Sequence, residues 1–272
     1  MSYIPLIAKI DSLPPLPESV VQIESLYANG DPDIDDIVEI IKNDPALTAD
    51  ILAKVNAPYY GFSKSIISIL QAITLFGSTQ IRSIVLSSSL NRCFDIDLSA
   101  YGISTNEFAK ISTMQSELIF QWYMRVNIDI ARNLTPIAFI METSKILISK
   151  DIIETGQKKN FYNDLQEFQD TSFVENKYTM MTSAQINTLV FEHLNLNDTF
   201  IEAMKYLDNE REAPEYISSM VVALRAVRAA VNTKSQFTDD SLNDAFAILD
   251  ENSLDIEVFK KSVQLIKNKY LK

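Results

Sequence analysis

The stretch IIKNDPALTADILAKVNAPYYGF, Ile40 to Phe62, decides the fold class. Asp44 is a helix N-cap residue, and Pro45 takes the first helical position, where its missing N–H removes no bond. Leu47, Ile51, Leu52 and Val55 follow at the spacing of one helix face. Ala57-Pro58-Tyr59-Tyr60-Gly61-Phe62 then has the composition of a turn, with glycine where a chain leaves a helix. One helix ends here, another is capped and run, and a turn closes it. Nothing alternates with the period of a strand.

The same grammar extends outward. Ile34, Ile37, Val38 and Ile41 form a helical stripe behind Asp33 as N-cap. A first helix is expected to start at Pro17 and stop at Gly30. Ser68 and Gln71 read as a capping box before Ile69, Ile73 and Phe76, with Gly77 as the stop and Ile81, Ile84 and Val85 in the next helix. Ser104 and Glu107 repeat the device ahead of a long helix carrying Phe108, Ile111, Leu118, Ile119, Trp122 and Val126. IAFIMETSKILI, Ile137 to Ile148, reads as one apolar helix with Glu142 and Lys145 in its middle. KDIIETGQKKNFYND, Lys150 to Asp164, reads as a polar loop leading into a short helix. Thr182 and Gln185, then Phe200 to Leu207, Pro214, Leu242 to Leu249 and Ile256 to Ile266 mark the remaining helices. The expectation is an all-α chain of more than ten helices and no sheet.

The totals bound the function. The 272 residues are 47% hydrophobic and 22% charged, an ordinary globular balance. The net charge of −12 opposes binding to phosphate backbones and to anionic membranes. No run of about 18 apolar residues is present, and the N-terminus lacks the features of a signal peptide, so membrane insertion is not expected and a cytoplasmic location is. The locally basic C-terminus, KKSVQLIKNKYLK, suits the end of a helix dipole. The five glycines are scattered, so no phosphate loop is formed.

Catalytic chemistry is sparse. One histidine, His193, and one cysteine, Cys93, cannot build an imidazole or thiolate metal site. Cys93 reads as a buried, inert thiol and His193 as a hydrogen-bonded histidine at the core boundary. The acid-rich segments GDPDIDDIVE, LDNEREAPE and TDDSLND fall at helix starts, where they complement the dipole; a carboxylate magnesium site is the alternative. Arg225 and Arg228 share a helix face, suited to ion pairing or to a phosphate.

Leu13-Pro14-Pro15-Leu16-Pro17, Asp44-Pro45-Ala46-Leu47, Asn56 with Tyr60-Gly61, Ile69, Ala72-Ile73 and Gly77, in that order, resemble the HDOD family of bacterial signalling proteins. Ala57 stands where that family more often has serine. The resemblance implies an HD-domain-like fold of the phosphodiesterase type. Residues 11–208 would form the HDOD domain, with an N-terminal lobe at 11–100, a degenerate HD-like core at 101–208 and a helical extension at 209–272. It also implies that metal positions of catalytic HD proteins are lost. By position, Met141-Glu142 replace His-Asp, Ile111 replaces a histidine, and Leu207-Asp208 replace paired histidines. A thioether is a poor ligand for hard cations.

The expectation is therefore a non-enzymatic regulatory module, without cofactor or metal, working through protein partners and not through nucleic acid. Tyr59, Tyr60 and Phe62 are candidates for the partner surface, since aromatics dominate interface hot spots; the alternative is that they plug a gap between helices. Arg82, Arg125 or Arg225 lining one pocket would instead point to a small-nucleotide binder, such as a module for cyclic dinucleotides. A convergent trio of acids would point to a phosphohydrolase with a carboxylate metal site.

Overall fold

The computed structural model describes residues 4–271. Among them, sixteen α-helices and two short 3-10 turns account for the regular structure, with only an isolated bridge between Val231 and Gln236. The N-terminal helices are α1 (Ile4–Asp11), α2 (Glu18–Ala28), α3 (Ile34–Lys42), α4 (Pro45–Val55), α5 (Ile69–Phe76) and α6 (Ser78–Cys93). The central pair is α7 (Thr105–Tyr123) and α8 (Ile128–Ile140). They are followed by α9 (Ser144–Glu154), α10 (Lys158–Glu167), α11 (Thr171–Thr179), α12 (Ser183–His193) and α13 (Asp198–Lys205). The last three are α14 (Glu215–Ala230), α15 (Asp239–Glu251) and α16 (Ile256–Tyr270). No single described helix is long and apolar enough to cross a membrane.

The stretch around Asp44 holds the first lobe together. The Asp44 carboxylate accepts the Leu47 amide at 2.8 Å, capping α4, and the Ser19 hydroxyl at 2.7 Å, tying α2 to it. Burial works against its charge, but these donors outweigh it and hold its pKa below the usual carboxylate value. Asn56 donates to the carbonyls of Leu52 and Ile66 and accepts the Ile66 amide, so one side chain closes the Ala57–Ser65 loop. Gly61, at φ +71°, makes the exit that a Cβ would strain.

The two central helices, α7 and α8, pack against each other, and α6, α14 and α16 pack around them. Pro136 lies inside α8 and cannot donate to the Arg132 carbonyl one turn back. Buried Arg82 takes that carbonyl through Nη1 at 3.3 Å while its other nitrogens grip Glu24 at 2.6 and 2.9 Å. Trp122, fully buried, meets Phe259 of α16 edge-on at 4.8 Å.

Several local expectations need correcting. α1 precedes the expected first helix, and buries Leu6 and Ile10 against α9 and α12. The short helix expected after Lys150 is present as α10, but the loop before it is only residues 155–157, because α9 runs on to Glu154 with Ile152 buried. Val126 lies past the end of α7 and is 55% exposed. Gln71 reaches the Ile67 amide and not that of Ser68, so only half of the capping box forms there. The boxes at Ser104–Glu107 and Thr182–Gln185 are complete.

Candidate functional site

Residues 137–148 are not one helix. α8 ends at Ile140, Met141–Thr143 form a turn, and α9 begins at Ser144. Asn187 of α12 stabilises the break: its Nδ2 donates to the Met141 carbonyl and its Oδ1 accepts the Ser144 amide. The Thr143 hydroxyl takes the Ile140 carbonyl at 2.7 Å. Side chains thus replace the helical bonds, and the turn directs Glu142 and Lys145 into the interior.

There they meet charged and polar side chains from other elements. Lys145 Nζ lies 2.6 Å from Glu175 Oε1 of α11 and 3.2 Å from Glu142 Oε2. The second contact is an ion pair without hydrogen-bond geometry, which leaves Glu142 Oε2 without a hydrogen-bond donor. Glu175 also accepts the Tyr101 hydroxyl at 2.8 Å and the Ser183 hydroxyl. Gln115 of α7 donates to Glu142 Oε1 at 3.1 Å and to the Val231 carbonyl at 2.8 Å. Arg228 of α14 pairs with Asp208 at 2.7 Å. Glu142 and Glu175 are 1% and 0% exposed, so their compensation has to come from within.

The electrostatics agree with that geometry. Burial disfavours the Lys145 ammonium, but Glu142 and Glu175 more than offset it and raise its pKa above the ordinary lysine value. Burial also opposes ionisation of Asp208, yet Arg228, the Thr182 hydroxyl and the Ala184 amide hold its carboxyl below the usual range. Burial, with Glu175 beside it, pushes the Tyr101 phenol well up.

Ile111 and Leu207 are buried and apolar, and Met141 contributes its carbonyl to Asn187 and not its sulfur to a site. Among the described residues no three His, Cys, Asp or Glu converge to hold a metal ion. The acids gather around cations: a divalent ion on Glu142 would crowd the Lys145 ammonium. This donor set does not fit such an ion.

A cleft of about 680 Å³ opens above the cluster, with Glu142, Lys145, Arg225 and Arg228 in its lining and Lys234, Asp240 and Asp244 also around it. A second cavity of about 740 Å³ shares Asp170, Ser172, Arg225 and Arg228 with it and reaches Asp208. Arg225 is therefore in a pocket, whereas Arg82 is locked on Glu24 and Arg125, just past α7, donates to the Gln121 carbonyl of that helix.

Other candidates fall elsewhere. Tyr59 and Tyr60 are half-buried and pack on Tyr270 and Phe76, with ring centroids 6.0 and 4.7 Å apart; Phe62 is 46% exposed. Cys93 is half-buried and not buried, because it ends α6 at the surface; burial still raises its pKa. His193 Nε2 lies 2.9 Å from the Leu13 carbonyl at the core boundary. Sequence reasoning missed Tyr101, Gln115, Glu175, Ser183 and Asn187. The trace was faint: Glu175 lies beside Val174 and four residues before Thr179, an acid at an inward helix position.

Residues 13–210 match the HDOD domain. The chain belongs to the HDOD family. An uncharacterised protein of Treponema pallidum (strain Nichols) is 31% identical over 84 residues, which are 31% of this chain and 16% of that protein. A virulence factor of Campylobacter jejuni subsp. jejuni has a solved structure with a TM-score of 0.61 and 25% identity, over 99% of this chain and 97% of that one. An HDOD domain protein of Geobacter sulfurreducens is similar at a TM-score of 0.65 and 14% identity, over 99% and 97%. A protein of Marinobacter aquaeolei VT8, provisionally named for signal transduction, reaches 0.71 at 18% identity, over 96% of this chain and 59% of that one. The HDOD match ends before α14, yet α14 supplies Arg228 to the buried cluster. The fold is all-α and of the HD type.

Proposed function

We propose that this HDOD chain is a non-enzymatic signalling module that acts through protein contacts. The observation that carries the reading is Lys145: its ammonium takes up the carboxylate charge of Glu142 and Glu175, where a hydrolytic centre would need a metal-bound water. Nothing else in the centre generates a nucleophile at neutral pH. The provisional signalling name of the Marinobacter protein accords with such a role. The test joins two measurements on the purified chain. Elemental analysis is expected to find no stoichiometric zinc, iron or manganese, and cyclic dinucleotides and nucleoside phosphates are expected to survive incubation with added divalent ions. One metal per chain, or turnover abolished by Glu142→Ala, would overturn the reading. Affinity capture from the native cell then names the partner.

The cleft supports a second reading, a binding module for a small nucleotide. Arg225 and Arg228 stand three residues apart on α14 and line both cavities, a spacing suited to a phosphate. Calorimetry with cyclic dinucleotides separates the readings: saturable binding lost in Arg225→Glu supports the ligand, and no heat at any concentration removes it.

A further inference from the structure

Lys54, near the end of α4, is half-buried, and its ammonium donates to the Ser87 hydroxyl of α6 at 3.0 Å. Among the described residues that hydroxyl is its only hydrogen-bond partner, and it joins no ion pair. The charges that act on it, Asp50 and Arg92, are held to each other at 2.8 Å. Lys9, Lys145 and Lys269, by contrast, each meet a carboxylate. Burial lowers the Lys54 pKa to about 8, against the opposing effect of Asp50. About one such side chain in ten is then a neutral amine at pH 7, against roughly one in a few thousand for an ordinary lysine. A neutral, partly desolvated amine is a nucleophile.

The amine borders a cavity of about 50 Å³ between α4, α6 and α7. Ile84, Leu90 and Phe108 give it apolar walls, and the hydroxyls of Ser87, Thr105 and Ser112 line it as well. Ser112 is 4% exposed, and its hydroxyl, like that of Thr105, makes no hydrogen bond among the described residues. Buried hydroxyls are as a rule partnered, so this one is aimed at an acceptor that the chain itself does not supply. At about 10–15 Å³ per water-sized molecule, the space takes about three or four heavy atoms. A sugar or a nucleotide does not fit.

We infer that Lys54 is a carbamylation site, at which its amine captures carbon dioxide in this cavity and the hydroxyls of Ser87, Thr105 and Ser112 donate to the carbamate formed. The nitrogen lone pair attacks the carbon of carbon dioxide and a C–N bond forms. One C–O π pair moves onto oxygen, and the nitrogen releases a proton to solvent. One amine and one carbon dioxide thus give one carbamate anion and one proton, with no oxidant or reductant. Carbon dioxide is small and uncharged, so it enters apolar walls without the desolvation cost that bicarbonate or an acyl phosphate would meet. The product supplies the acceptor that the hydroxyls lack. The inference does not depend on whether the buried Glu142–Lys145 cluster is catalytic.

Chemical trapping on the full chain tests it. The protein is equilibrated with isotopically labelled carbon dioxide and bicarbonate, alkylated with triethyloxonium ion, which fixes carbamates as stable esters, and mapped by peptide mass spectrometry. A labelled ester is expected on Lys54, well above the level on the exposed Lys42 and Lys64. Ser112→Ala should lower the Lys54 adduct by about three- to tenfold, the worth of one hydrogen bond, with an unchanged circular dichroism melt as the control for folding. The wild-type map decides by itself should that variant not fold. No ester on Lys54, a level no higher than on Lys42 and Lys64, or an unchanged level in folded Ser112→Ala would overturn the inference. Bicarbonate held without a covalent adduct would overturn it too.

Discussion

At the scale of single residues, the centre of the molecule is a closed charge system, and Lys145 is its keystone. Lys145→Ala would leave Glu142 and Glu175 buried without their cation, at a cost of about 3–5 kcal/mol. Urea unfolding is expected to show that loss, and adding Glu142→Gln and Glu175→Gln to the same chain should recover most of it. Two pH limits follow. Lys145 has a raised pKa in the folded state, so its stabilisation is complete below the ordinary lysine pKa and is lost as pH rises through the folded value. Asp208 is lowered, so its contribution is present above the ordinary carboxylate pKa and is lost as pH falls through the folded value. Asp208→Asn should flatten the acid limb of a stability–pH curve and leave the alkaline limb in place. The sequence pointed to Glu142 and Asp208 as vestigial metal positions, to Lys145 as a neighbour on the same apolar helix and to Arg228 as an ion-pairing or phosphate-binding residue. It could not reveal Glu175, because the pairing spans thirty residues and joins helices whose contact no local pattern encodes.

At the scale of elements, legibility follows from locality. Caps at Asp33, Asp44, Ser104 and Thr182 were readable because cap and helix are adjacent in sequence. The break at Met141–Thr143 was not, because apolar periodicity runs through it and the group that stabilises it, Asn187, is 46 residues from Met141. Asn187→Ala removes both bonds to that turn and is expected to destabilise by about 1–3 kcal/mol, read by denaturant titration. Asn56 does the equivalent work for the loop behind α4. Asn56→Ala should cost a similar amount, and hydrogen exchange should localise the opening to the Ala57–Ser65 loop and the start of α5. Tyr59 and Tyr60 stand as packing between this loop and α16. The readable feature was their aromaticity; the partner, Tyr270, lies too far along the chain to be inferred.

At the scale of the whole molecule, the segment beyond the HDOD match is structural. α14 lies on α7, α8 and α13, and α16 covers Trp122 on α7. A chain ending at residue 210 is expected to lose cooperative unfolding and near-ultraviolet circular dichroism, since its only tryptophan would be uncovered. Retention of a sharp transition by that truncated chain would show the segment to be dispensable. The sequence supported an all-α chain of many helices; it could not show that the last three complete the interior. That arrangement sets an order of events during synthesis. Gln115 waits for the carbonyl of Val231, 116 residues later, and Glu117 for Tyr270, 153 residues later. While the ribosome still holds the C-terminal third, Lys145 can already meet Glu142 and Glu175, but Arg228 and the Val231 carbonyl are still missing, so translation must be nearly finished before this centre is complete.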